Sequence, residues 1–255
     1  LQDKGFSLDG MLRYREADFS GILNGIDEAI FNPEIDPYLF KTFDVKTHIS
    51  GKKANKKALF KQFDFGEDKQ LFTYIGRLSS QKGIHIFQQT LDDFLAHADI
   101  KLFLMGSGNS YYEDYFHYLL HKYPDKVRIY VGFNEQVAHL AYAASDFFMM
   151  PSVYEPCGLG QMIAMRYGAL PIVHETGGLK DTVTPYNKYT LEGSGFTFAN
   201  YDATVFKDLL FDVSNLYITD QAIINNLKTQ AMKKSFHLDT MANHYAALYK
   251  KMLEA

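Results

Sequence analysis

The sequence predicts an α/β fold, a Rossmann-like parallel sheet flanked by helices. Three observations predict it. Between residues 71 and 198 short apolar runs alternate with longer amphipathic stretches. The runs are continuous in Ile, Val, Phe, Tyr and Leu, as in strands covered on both faces. The stretches between them carry apolar positions at three- and four-residue spacing. Strand, helix, strand in this rhythm gives βαβ units and hence a right-handed parallel sheet.

Taken in order, strands are expected at 71–76, 100–106, 127–133, 147–151, 170–174 and 196–198, with helices at 83–97, 110–123, 134–144 and 159–167. The flanks read differently. Residues 21–26 could form a short strand, and the Asp- and Pro-containing segment around 32–37 reads as a connector. Residues 202–255 carry no strand signal and read as helical. The last helix is expected to start at Asp239, a good N-cap, with Met241, Tyr245, Leu248 and Met252 on one stripe. Such a stripe usually packs on its own domain; the other reading is a docking face for a further domain.

Composition narrows the function classes. The 255 residues carry 26 Lys and Arg against 30 Asp and Glu, a net charge of −4 with pI near 6.1, which argues against a nucleic-acid surface. With 47% hydrophobic and 22% charged residues the chain is ordinary globular protein. Its apolar runs fall far short of the ~18 residues of a membrane span. Cys157 is the single cysteine, which excludes an intramolecular disulfide and a cysteine-based zinc site and points to a reducing compartment.

In a parallel sheet, ligands sit beyond the carboxyl ends of the strands, near the point where strand order reverses. The residues at those exits are non-random. After the first strand comes Arg77-Leu-Ser-Ser-Gln-Lys-Gly83, where Ser79 or Ser80 can cap the next helix and Lys82 would fall in its first turn. A lysine there opposes the helix dipole unless an anion answers both, so Arg77, Lys82 and the helix amides together suggest a phosphate or diphosphate site. The bland reading is a solvated loop with ordinary surface charge. Gly106-Ser-Gly-Asn109 reads as a plain strand-to-helix turn; without a third glycine and a following acid it is no dinucleotide fingerprint. Phe133 is either a stacking surface or a buried filler. In Pro151-Ser-Val-Tyr-Glu-Pro-Cys-Gly-Leu-Gly-Gln161, two prolines brace Glu155, and Gly158 and Gly160 allow close approach. Cys157 reads as small filler, and His174 as structural. Thr176-Gly177-Gly178 is a second place for phosphate or sugar contacts.

In this order and spacing the residues resemble the bacterial glycogen synthase and plant starch synthase family. The matching segments are Gly21-Ile-Leu-Asn-Gly-Ile-Asp27, Arg77-Leu-Ser-Ser-Gln-Lys-Gly83, Pro151-Ser-Val-Tyr-Glu-Pro-Cys-Gly-Leu159 with Gln161, and Thr176-Gly-Gly-Leu-Lys-Asp-Thr-Val183. The resemblance runs from about Gly10 onward. It implies the C-terminal domain of a two-domain GT-B glycosyltransferase that moves glucose from ADP-glucose to the non-reducing end of an α-1,4-glucan with retention. It implies no cofactor, ADP-glucose being a substrate, and neither nucleic acid nor membrane as partner.

By position, Arg77 and Lys82 resemble the pair that holds the diphosphate, and Glu155 the active-site carboxylate at the glucosyl unit. Asn24, Gly158, Leu159, Gly160, Thr176, Gly177 and Gly178 match donor-contacting positions, and Phe133 an aromatic against adenine. The residue eight after Glu155 is Ile163, so a Glu-x7-Glu pair is absent and no second acid is available for a two-carboxylate scheme. The family's Lys-x-Gly-Gly-Leu donor loop does not occur here either; Glu175, not that lysine, precedes Thr176-Gly-Gly-Leu. The chain, which starts at Leu1 rather than Met, is therefore expected to be cut from a longer one. Residues 1–26 would be the remnant of an N-terminal domain and linker, 27–238 the nucleotide-sugar domain, and 239–255 a helix that packs on the missing domain. Alone it would be inactive. A bacterial cytoplasm is the expected setting, with a plastid left open. The alternatives are a nucleotide- or glucan-binding module without activity, or a transferase of UDP- or GDP-sugars.

Overall fold

The computed structural model describes residues 7–254; the start of the expected 1–26 remnant and Ala255 at the end of the 239–255 helix lie outside the described residues. Strands β1 (Gln70–Ile75), β2 (Ile100–Gly106), β3 (Val127–Val131), β4 (Phe147–Met150), β5 (Leu170–His174) and β6 (Phe196–Phe198) form one sheet in the order β3-β2-β1-β4-β5-β6. Every neighbouring pair is parallel. The chain is thus α/β with the Rossmann strand order, which reverses between β1 and β4. Strands β1, β3 and β4 stop one or two residues short of expectation, because Gly76, Gly132 and Pro151 already belong to the exit loops.

Helices α1 (Asp9–Tyr14) and α2 (His48–Gln62) precede the sheet. Helices α3 (Ile84–His97), α4 (Ser110–Lys122), α5 (Glu135–Ala144), α6 (Gly160–Arg166) and α7 (Gly177–Thr182) alternate with the strands, and α8 (Ala203–Thr219), α9 (Gln221–Met232) and α10 (Leu238–Glu254) follow them. Asn109, Asn134, Asp202 and Asp220 each accept a backbone N–H at the start of α4, α5, α8 and α9, which is why these helices begin where they do. Successive residues of β1 feed opposite faces: Leu71 packs with Leu59, Phe103 and Ala141 under α2 and α5, whereas Phe72 and Tyr74 pack with Phe87, Phe94 and Leu102 under α3.

Four expectations are corrected. Residues 21–26 form no strand; Ile26 makes only an isolated bridge to His237. Neither Ser79 nor Ser80 caps α3, and Lys82 lies before the helix, because Gly83 in the left-handed region (φ +78°) is the residue that turns into it. The last helix starts at Leu238, not Asp239; of its stripe, Met241 and Leu248 are half-buried and Tyr245 and Met252 exposed. Phe133 is no buried filler: it is 73% exposed.

Candidate functional site

Because all six strands run the same way, their exit loops gather on one rim. There, over the β1/β4 reversal, lies a cleft of about 570 Å³. The β1 exit brings Arg77 and Lys82, the β2 exit Gly106 and Ser107, and the β3 exit Gly132 and Phe133. The β4 exit brings Ser152, Glu155, Gly158, Leu159 and Gly160.

The loops after β1 and β4 are hydrogen-bonded to each other. Val153 N donates to Gln81 O at 2.9 Å, and Gln81 Nε2 donates to Tyr154 O at 3.3 Å. A Cβ on Gly83 would stand 1.9 Å from Pro151 O, so only glycine permits this approach. That contact delivers Lys82 to Glu155: Lys82 Nζ donates to Glu155 Oε2, which also accepts from Ser152 Oγ at 3.2 Å. Glu155 is 7% exposed, held by a cation and a hydroxyl in place of bulk water. Arg77 is placed otherwise. Its backbone carbonyl accepts from Tyr74 Oη at 2.7 Å, while its exposed guanidinium makes no hydrogen bond or ion pair among the described residues. Burial and then the Glu155 charge hold the Tyr74 phenol well above its ordinary pKa, so it stays a neutral donor fixing the Arg77 loop.

The cleft thus gathers Arg77, Lys82, Phe133, Glu155, Gly158, Leu159 and Gly160, but not the remaining expected positions. Thr176, Gly177 and Gly178 lie outside its lining. Gly178 N donates to Glu155 O at 3.1 Å, and a Cβ on Gly177 would stand 2.2 Å from that same oxygen. The two glycines back the Glu155 loop. Asn24 lines a separate depression with His237 and Lys234, and its N–H donates to Cys157 Sγ at 3.3 Å. Cys157 is half-buried, a contact point between the two segments. His174 is buried behind the loop, its Nδ1 2.8 Å from Ser152 O. Sequence reasoning missed Ser152 and Gln81, which hold Glu155 and its loop. The available signal was their place beside Pro151 and Lys82; nothing in the pattern said that the two loops touch.

The model of the family described as glycosyl transferases group 1 matches residues 55–230. The chain belongs to that family. It is 54% identical to a glycogen synthase of Acholeplasma laidlawii over 99% of this chain and 53% of that protein. It is 44% identical to a glycogen synthase of Clostridium kluyveri over 98% and 52%. Among solved structures, the catalytic domain of starch synthase IV from Arabidopsis thaliana, bound to ADP and acarbose, superposes with a TM-score of 0.92 at 35% identity, covering all of this chain and 53% of that one. The chain spans about half the length of these relatives. The resemblance to glycogen and starch synthases read from the motifs stands, and the fold is that of the C-terminal domain of a GT-B glycosyltransferase.

Proposed function

We propose that this chain is the donor-binding half of a retaining glucosyltransferase that moves glucose from ADP-glucose to the non-reducing end of an α-1,4-glucan. One observation carries the reading: an unengaged Arg77 guanidinium and the Lys82 ammonium share a cleft with a sheltered carboxylate, Glu155. Breaking a glycosyl–phosphate bond builds negative charge on the departing diphosphate, and cations already in position stabilise that charge without reorganisation. Arg77 offers a planar fork of donors and Lys82 a point charge, which together suit the two phosphates. Lys82 exchanges part of its bond to Glu155 for one to the diphosphate, leaving Glu155 free to orient the glucosyl unit. The exposed Phe133 ring stacks on the base, a contact of ~1–3 kcal/mol, and Gly158, Leu159 and Gly160 let the backbone approach the sugar. The bound ADP of the starch synthase IV neighbour favours adenine as that base.

The other wall of the cleft is a second domain. Ile26 N donates to Phe236 O at 2.7 Å, so both ends of the 27–238 unit meet at one place, where a partner domain would be entered and left. Tyr245, Tyr249 and Met252 on α10, and Met11, Tyr14 and Phe19 near the start, are exposed apolar side chains that such a domain would cover. The test is incubation with ADP-glucose and glycogen, alone and with the N-terminal half of a related synthase added in trans. Extension only in the mixture is expected; turnover by the chain alone would overturn the two-wall requirement. Competition among ADP, UDP and GDP decides the donor base.

A further inference from the structure

At the β6 edge of the sheet, beyond β5 from the cleft, a groove of about 440 Å³ lies between α8 and the segment that leads into β6. That is the size of a small-molecule site. Its floor is apolar: Phe196 is buried, and Leu209 and Leu216 are half-buried. Asp212 and Asn215 follow Leu209 at helical spacing, so α8 turns both toward the groove as one wall. The facing wall carries Tyr186 and Lys188.

This facing wall is held in place. Tyr186 N donates to Gly195 O at 2.9 Å, and the half-buried Tyr186 ring meets Phe196 edge-on with centroids 5.8 Å apart. Asn187 N donates to Glu192 O at 2.8 Å and closes the turn beyond it. From α9, Asn226 and Gln230 donate to Leu191 O at 3.1 and 3.0 Å. A ligand therefore meets a preformed groove, with little loop ordering to oppose binding. The polar groups of the walls are available to it. The Asp212 carboxylate, the Asn215 amide and the Tyr186 hydroxyl make no hydrogen bond among the described residues, and the Lys188 ammonium sits 5.2 Å from the centroid of the Tyr189 ring. Donors and acceptors are both represented. Lys188 and Asp212 cancel in charge, so the groove selects neither an anion nor a cation. An apolar floor under a charge-balanced polar rim suits a neutral molecule with an apolar face and a polar edge. A glucosyl ring has that form, with C–H groups on its faces and hydroxyls around its rim, and the Tyr186 ring and hydroxyl answer both.

We propose that this groove binds α-1,4-glucan, holding the polymer at a second point apart from the cleft. The choice of glucan rests on the transfer reading above, in which that polymer is the acceptor. The test is titration calorimetry of the chain with maltoheptaose, with cellohexaose as the control. Maltoheptaose is expected to bind with an affinity that added salt does not change, as for a neutral ligand. Tyr186→Ala should weaken it about fivefold or more. Asp212→Ala and Asn215→Ala, at exposed positions where Tm should hold, should each weaken it about threefold or more. ADP binding at the cleft is expected to stay unchanged in all three variants. Maltoheptaose binding that neither Asp212→Ala nor Asn215→Ala weakens, or that cellohexaose matches, overturns the assignment. Glucan extension by the mixed halves without binding at the groove would remove this site and keep the transfer reading; binding at the groove without extension would do the reverse.

Discussion

Lys82 and Glu155, 73 residues apart, form an ion pair across the gap between the loops that leave β1 and β4. The pair links the two halves of the sheet over its topological reversal, and the adjoining Arg77 remains free to take an anion. Removing Lys82 leaves Glu155 with Ser152 alone in a sheltered site. Lys82→Ala is expected to lower stability by about 1–3 kcal/mol and to weaken ADP binding at least tenfold. Urea melts and titration calorimetry read the two effects separately.

Arg77→Ala should separate binding from folding. The guanidinium is exposed and unengaged, so the change is expected to move stability by no more than about 0.5 kcal/mol. Losing charge-assisted bonds to a diphosphate, worth about 1.5–3 kcal/mol, should still weaken ADP binding more than tenfold. A matched loss of Tm and affinity would show that Arg77 serves the fold.

Gly83 holds the geometry from beneath. Its φ is +78°, and a Cβ added there would stand 1.9 Å from Pro151 O. Gly83→Ala is therefore expected to cost about 1–3 kcal/mol in strain alone. The same change should pull the β1 loop off the β4 loop, weakening ADP binding although residue 83 touches no ligand. Calorimetry on the folded variant checks this.

The motifs at the strand exits made the fold and the cleft readable, because alternation of apolar runs and Gly, Pro and cation signals are local properties. Helix α2 was not readable. Its buried positions, His48, Gly51, Lys52, Asn55, Lys56, Leu59 and Phe60, keep strict helical spacing, but most are polar and so give no apolar stripe. Their burial depends on Asp146 and on the carbonyls ending α5 and α6, all distant in sequence. For the same reason the roles of Gly177 and Gly178 were not legible: a Gly-Gly at a helix start suits a ligand, yet here it meets the carbonyl of Glu155 and the backbone of Cys157.

The buried charges of that region set an acid limit. Burial opposes ionisation of Asp146, but Lys228 and Lys56 outweigh it and hold its carboxyl below the usual range. A carboxyl lowered in the folded state contributes fully above its unfolded pKa of about 3.9 and loses that contribution as pH falls further. Stability is therefore expected to drop from about pH 4 downward. Asp146→Asn should cost about 3–5 kcal/mol at neutral pH and leave a shallower acid limb. Urea midpoints at pH 7, 4 and 3 measure both.

The grip of two cations and one carboxylate on a nucleotide sugar is tested most directly by a crystal structure of this chain with ADP. The account predicts diphosphate oxygens within about 3 Å of both Arg77 and Lys82, with the adenine against Phe133. A well-ordered ADP whose diphosphate meets neither cation would contradict it.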